Sequence, residues 1–386
     1  MSNMRIVKFE LKKLILFPML WIYLVCCLML NSLLIFTGAY GNENVNYLHY
    51  ISQTTDKTGT QVGEEFQKKL SNLPDETFLR RLKENTEDTK RGYHLNDATE
   101  IGHIVSAQYG LSGFWVEKMT KKYEKMQNVV EELLNRKWDL SVYGADCTYE
   151  IHQSLFSSLF RAIITESCLG AVLIMLYLLG YEVQNHAEQI VYTTSKGRNV
   201  IGEKMITGIM MAFLSFAIIA GVSFCLFFLV YDFSGIWECS VSSQFNYIQC
   251  TNFTKPFWTW IPFTVRGYFF AMLALSVVMV LIFSLVGAGI GLFCKNSYTG
   301  FLLFLVTAIG MLALPFLFAD LKMWGGYFFS EMLPVSLWLS SSQWFTDMGG
   351  STVIPFGETA GCFANVVGLT VIILFEIVYF RRKDIV

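Results

Sequence analysis

Residues 268–318 read YFFAMLALSVVMVLIFSLVGAGIGLFCKNSYTGFLLFLVTAIGMLALPFLF. Two uncharged apolar runs, Tyr268 to Phe293 and Tyr298 to Phe318, stand on either side of a short polar link that contains Lys295. A helix rises about 1.5 Å per residue, so each run is long enough to cross roughly 30 Å of hydrocarbon. A pair of such runs joined by so short a link reads as a transmembrane hairpin.

Four more runs of this kind flank the pair: Leu14 to Thr37, Phe156 to Tyr181, Met205 to Tyr231 and Thr359 to Phe380. Composition agrees. Hydrophobic residues make up 53% of the chain and charged residues 16%, against about 25% in an ordinary soluble domain. The first run follows a basic start and precedes Gly38 and Ala39, as a signal peptide would, but it is too long for a signal core and reads as an uncleaved helix. The net charge of −2 gives no basic surface for nucleic acid.

Short-loop charge sets the expected orientation. Arg5, Lys8, Lys12, Lys13, Lys196, Arg198, Lys204, Lys295, Arg381, Arg382 and Lys383 fall on one side, and the short loops opposite hold only Lys255, Arg266 and Lys322. The first side is expected to be cytoplasmic, with both termini there and the plasma membrane as the location. The expectation is therefore an all-α membrane protein with six transmembrane helices and a large, mostly helical extracellular insert over 38–155. A second outer loop covers 232–267, and re-entrant or interfacial helices lie over 319–358.

Within the insert, Trp115, Met119, Tyr123, Met126, Val130, Leu133 and Leu134 recur at helical spacing over 114–138. Lys118, Lys121, Lys122, Lys125, Glu131 and Glu132 are assigned to the opposite face. A second stretch over 64–85 is broken near Pro74, and Asp75 is placed to cap its second half. His94 and His103 flank Asp97 and Glu100 without a recognised zinc spacing, so solvated loop residues are expected there and no metal site is assigned. Cys239 and Cys250 would face an oxidising exterior, and a local disulfide is possible. The other cysteines fall mostly inside apolar runs and act as small hydrophobes. Asn252-Phe253-Thr254 matches a glycosylation sequon, which carries meaning only in a eukaryotic secretory pathway. Between the fifth and sixth runs, aromatic residues such as Trp324, Phe328, Trp338 and Trp344 suit the headgroup level.

Neither G-x-x-x-x-G-K-[ST] nor G-x-S-x-G occurs, so the chain carries no P-loop and no nucleophile elbow. It is not expected to be an enzyme. The informative stretch is EVQNHAEQIVYTTSKGRNVIGEK, residues 182–204. An acid leaves the second run, an apolar set (Val183, Ala187, Ile190, Val191) recurs at helical spacing, a Thr/Ser turn leads to Gly197-Arg198, and Lys204 opens the third run.

That pattern resembles the permease subunits of type-2 ABC transporters, of a bacterial, Firmicute-like kind. In that family a Glu ends the second helix, an amphipathic coupling segment and a Thr/Ser turn follow, then a Gly-Arg or Arg-Arg pair and a Lys. Glu182, Thr193, Thr194, Gly197, Arg198 and Lys204 match it. The layout agrees over nearly the whole chain, including the basic amphipathic segment 1–13; the large insert departs from compact members. The resemblance implies a permease homodimer or heterodimer, with a cytoplasmic ABC ATPase docked on Val183, Ile190 and Val191. No cofactor would be bound by this chain, and ATP and Mg would enter through the partner. An amphipathic or hydrophobic substrate (a peptide or bacteriocin, a drug or a lipid) would be exported. Competing readings are a cytoplasmic hairpin held by anionic lipid, a membrane-anchored sensor or immunity protein whose outer domain binds a ligand without transport, and a secondary transporter.

Arg161, Glu166 and Glu376 are ionisable groups inside the runs and should face the bundle or a wet cavity. A pairing of Arg161 with Glu166, Asp320 or Glu358 is expected. Gly287 and Gly291 have the spacing that lets helices approach closely, and Pro315 is expected to kink the fifth run.

Overall fold

A computed structural model of the protein describes residues 3–74, 76–87, 97–192, 197, 200–250, 254–294 and 296–382. It begins with α1 (Asn3–Ile15), an amphipathic helix, followed by α2 (Pro18–Ala39). Phe17 is extended between them, and Pro18 takes the first turn of α2, where its missing N–H is not needed. The first span therefore starts later than the apolar run does, and Leu14 is buried as part of α1.

The insert is helical: α3 (Glu43–Thr58), α4 (Glu64–Ser71), α5 (Thr77–Glu87), α6 (Ala98–Gln108) and α7 (Phe114–Asn135). Asn42 caps α3 through a bond from the Asn44 backbone N–H. Asp97 caps α6, accepting from the backbone N–H groups of Thr99 at 2.8 Å and Glu100 at 3.3 Å. Asp97 thus serves a helix end. Pro74 falls between α4 and α5, as the break predicts; Asp75 and His94 lie outside the described residues.

The second span is longer than its apolar run. A short 3₁₀ turn (Ala145–Cys147), α8 (Thr148–His152), a π-helical stretch (Gln153–Leu159) and α9 (Phe160–Gln184) form one path from Ala145 to Gln184. Then come α10 (Glu188–Tyr192), α11 (Val200–Val230), a two-stranded antiparallel ribbon of β1 (Tyr247–Gln249) and β2 (Thr254–Pro256), and α12 (Val265–Phe293). In the ribbon Ile248 stands opposite Lys255. The chain ends with α13 (Ser297–Asp320), α14 (Trp324–Glu331), α15 (Pro334–Leu339) and α16 (Gly357–Arg382).

Among the described residues, six helical segments are long and apolar enough to cross a membrane: α2, the path ending in α9, α11, α12, α13 and α16. The protein is an all-α, multi-pass membrane protein. The α9 path and α12 form the centre, with 61% and 56% of their apolar windows buried, whereas α13 (11%) and α16 (17%) leave most of their surface facing outward. Glycine sets the central contact. A Cβ on Gly287 would meet the Val172 Cα at 2.9 Å, and one on Gly291 would meet Leu179 Cδ1 at 2.8 Å. The small-residue spacing therefore serves packing within the chain. Pro315 sits inside α13, which continues to Asp320.

Among the described residues, the insert shares its buried clusters with other parts of the chain. Tyr47, Ile51, Phe66 and Leu82, from α3 to α5, belong to the same buried cluster as span residues such as Phe156 and Phe227. His49 bonds Asp232 at 2.7 Å, which ties α3 to the segment after α11. The stripe of α6 and α7 packs instead with Trp258, Trp260, Tyr327 and Phe328, so three sequence-distant segments share one body.

Candidate functional site

Two buried nodes of charge stand at opposite ends of the bundle. The first lies at the end that carries α1, where α9 finishes and α11 begins. Glu182 is 3% exposed in the last turn of α9. One carboxylate oxygen accepts from Lys13 of α1 at 2.9 Å, and the other accepts from Lys204 in the first turns of α11. Lys204 also donates to the Leu178 carbonyl at 2.9 Å, and Lys13 to Glu10 at 2.8 Å. Burial works against the charge on Lys13, but the hydrogen bonds to Glu10 and Glu182 outweigh it and raise its pKa. The Lys13 ammonium also lies 4.5 Å from the Tyr181 ring centroid, and Phe17 stacks on Tyr177 at 3.8 Å. One carboxylate thus joins three helices that are separated in sequence.

Beyond Glu182, His186 adopts a left-handed φ of 54° and turns the chain into α10. Val183 and Val191 are half-buried, and Ile190 is 73% exposed. Gly197 has φ 49°, a conformation that favours glycine. Thr193, Thr194 and Arg198 lie outside the described residues. The sequence pattern thus finds Glu182 and Lys204, and the structure brings them together. Lys13 was missed as a partner of Glu182, because a contact across so much sequence leaves no local signal; Glu10 joins through Lys13, three residues on.

The second node lies in the body formed by the insert and the two later loops. Lys122 is buried on α7 and donates to the carbonyls of Asp347 (2.8 Å), Gly349 (2.6 Å) and Thr352 (2.9 Å). The Asp347 carboxylate accepts from Lys255 of β2 and from the Tyr123 hydroxyl. Burial works against the charge on Asp347, but Lys255 and Lys122 outweigh it and hold its carboxyl below the ordinary range. The assignment of Lys122 to the exposed face of α7 is corrected. Lys122 lies three residues after Met119 and four before Met126, so helical spacing places it on the buried stripe.

Between the nodes, the intramembrane charges also depart from expectation. Among the described residues Arg161 forms no ion pair; it donates to Ser342 at 2.8 Å. Arg161 and Glu166 are five residues apart, about 140° round a helix, and face different neighbours. Glu166 accepts instead from Asn31 of α2 at 2.8 Å. Glu376 lies beside Gly289, where a Cβ would come within 3.4 Å of its Oε2.

The local disulfide is also absent. Cys239 and Cys250 are both free thiols. Cys239 is hydrogen-bonded with Ser141 and the Tyr143 backbone, whereas Cys250 is half-buried near Lys255 and Asp347, so the two have separate surroundings. Among the described residues no group of His, Cys, Asp and Glu could hold a metal ion.

No protein-family model, no curated protein and no solved structure matches this chain. A buried carboxylate shared by two lysines resists separation, because each charge pulled away from its partner is left desolvated. The Glu182 node therefore ties α1, α9 and α11 to one another.

Proposed function

We propose that the protein is the membrane permease subunit of an ATP-driven ABC exporter. It would work as a homodimer or heterodimer with a separate cytoplasmic ATPase, and move an amphipathic or hydrophobic substrate out across the plasma membrane. The observation that carries this reading is the Glu182 node. A short helix with an exposed isoleucine, α10, hangs from a charge cluster that grips α1, α9 and α11. A partner that seats α10 in a groove would have a rigid lever on the second and third spans. The loop-charge asymmetry supports placing this end in the cytoplasm, with both termini inside and the insert outside. The short helices α14 and α15 then lie at the outer interface. The lack of a P-loop in the sequence requires that the ATPase be another chain.

The test is affinity purification from the native membrane in mild detergent, with identification of whatever remains bound. The expected result is an ABC ATPase that stays with the intact chain and is lost when Val183, Ile190 and Val191 are changed to aspartate. Retention despite those changes would move the docking site elsewhere. No ATPase in several detergents, with a non-hydrolysable ATP analogue present, would contradict the proposal and favour a membrane-anchored sensor or immunity protein.

A further inference from the structure

Glu166 is a carboxylate within the second span, and a charge there needs a reason. Its side-chain donor is Asn31 of α2, at 2.8 Å. Asn31 is 1% exposed and stands about 12 Å along α2 from Ala39, at 1.5 Å per residue. It also donates to Ser223 Oγ of α11 at 3.0 Å, so both its amide hydrogens are used. Its own Oδ1 is buried without a hydrogen-bond partner. The Tyr23 hydroxyl donates to the Glu166 backbone carbonyl at 2.5 Å and holds α2 against this turn of α9. Among the described residues no lysine, arginine or histidine forms an ion pair with Glu166. Three spans therefore converge on a carboxylate without a cation and a buried amide oxygen without a donor.

We propose that Asn31 and Glu166, with Ser223 holding the Asn31 amide in place, bind the ammonium head of a lipophilic amine. Glu166 offers its two carboxylate oxygens and Asn31 its Oδ1, which together match the three donors of a primary ammonium. A divalent metal would ask for six or more oxygens, more than these side chains supply. The ammonium satisfies the orphaned amide oxygen and neutralises the carboxylate in one step. The site lies within the spans α2, α9 and α11, so the remainder of such a ligand meets apolar surroundings and must itself be apolar. The inference names a substrate class for the proposed permease and rests on that reading for its part in transport. Binding itself requires no ATPase.

The test uses the full chain in lipid nanodiscs, with dansylcadaverine, a fluorescent lipophilic primary amine, as the probe and its N-acetylated, uncharged form as the comparison. Fluorescence polarisation should show saturable binding of the amine, weakened at least about tenfold in Glu166→Gln and kept in Glu166→Asp. Asn31→Asp, which adds a second carboxylate, should tighten it. Size-exclusion profiles identify variants that fail to fold, and Glu166→Asp and Asn31→Asp then carry the test. Equal binding by Glu166→Gln, equal binding of the acetylated probe or no saturable binding by the wild type would overturn the proposal. Displacement by sodium or potassium chloride, where choline chloride leaves the probe bound, would also overturn it in favour of an inorganic cation. An ATPase retained with no amine bound removes this inference and leaves the permease reading standing. Amine binding without any ATPase does the reverse.

Discussion

The two charge nodes are built from similar parts and differ in what encloses them. Around Glu182, two lysines share a carboxylate, and Glu10 adds a second acid, so charges balance and Lys13 keeps 11% of its side chain in contact with solvent. Around Asp347, one lysine, Lys255, pairs with the carboxylate, and the second, Lys122, is met by three backbone carbonyls in a closed interior. The first arrangement holds three helices together through balanced charges, which suits a lever. The second fixes backbone of one loop to a side chain of the insert, which suits a clasp. Phe345, Met348 and Gly349 hold positive φ within or beside that loop, and Lys122 and Asp347 supply the fixed contacts that maintain them.

The largest expected effect comes from breaking the clasp. Asp347→Asn leaves buried Lys255 without its carboxylate and should cost about 3–5 kcal/mol, seen as an earlier thermal transition of tryptophan fluorescence in detergent. Replacing Lys122 and Lys255 by Met and Asp347 by Leu together should recover only part of that loss, because the apolar set removes the buried charges but leaves the carbonyls of Asp347, Gly349 and Thr352 without their donor. Recovery would sharpen the contrast; a triple variant as unstable as Asp347→Asn would break it.

Glu182→Gln should cost less, about 2–3 kcal/mol, because solvent reaches Lys13. Its signature is local: faster hydrogen exchange in α1 and in the first turns of α11, with exchange in α7 unchanged. Equal loosening at both ends would show that the nodes are not independent. Glu331 gives a smaller effect that depends on pH. Burial raises its carboxyl to about 7, against an ordinary value of 4.5. Its folded state therefore holds the proton more tightly, and the stabilisation is full below about pH 4.5 and lost as pH rises through 7. Glu331→Gln should flatten the melting temperature across that window, and an unchanged slope would count against the assignment. Arg161→Ala should be the mildest, below about 0.5 kcal/mol, since its partner is a serine at an exposed site.

The spans were legible in the sequence because hydrocarbon imposes length and apolarity that no other setting demands together, and Tyr268 to Phe318 shows both without ambiguity. Their ends were less so. Pro18 delays α2, and α8 with the π-helical stretch extends the second span well before Phe156, because helix continues wherever backbone groups stay paired. Glu182 and Lys204 were readable because they bracket one hairpin. Lys13 and Asp347 were not, since their partners are brought close only by tertiary packing. Lys122 was readable in principle: its spacing from Met119 and Met126 marked it as part of the stripe, but its charge argued for the surface. Asn31 looked like a lone polar residue in an apolar run, and only Glu166 beside it gives it meaning.

The central claim is that the Glu182 end is where the proposed ATPase docks. The most direct measurement places a photo-cross-linking amino acid in place of Ile190, with Lys68 on the exposed face of α4 as the matched position at the opposite end. Irradiation in native membranes should join an ABC ATPase subunit to the position-190 label, and addition of a non-hydrolysable ATP analogue should change the yield. The label at position 68 should capture none. A position-190 label that captures only lipid, or an ATPase captured equally from position 68, would contradict the account.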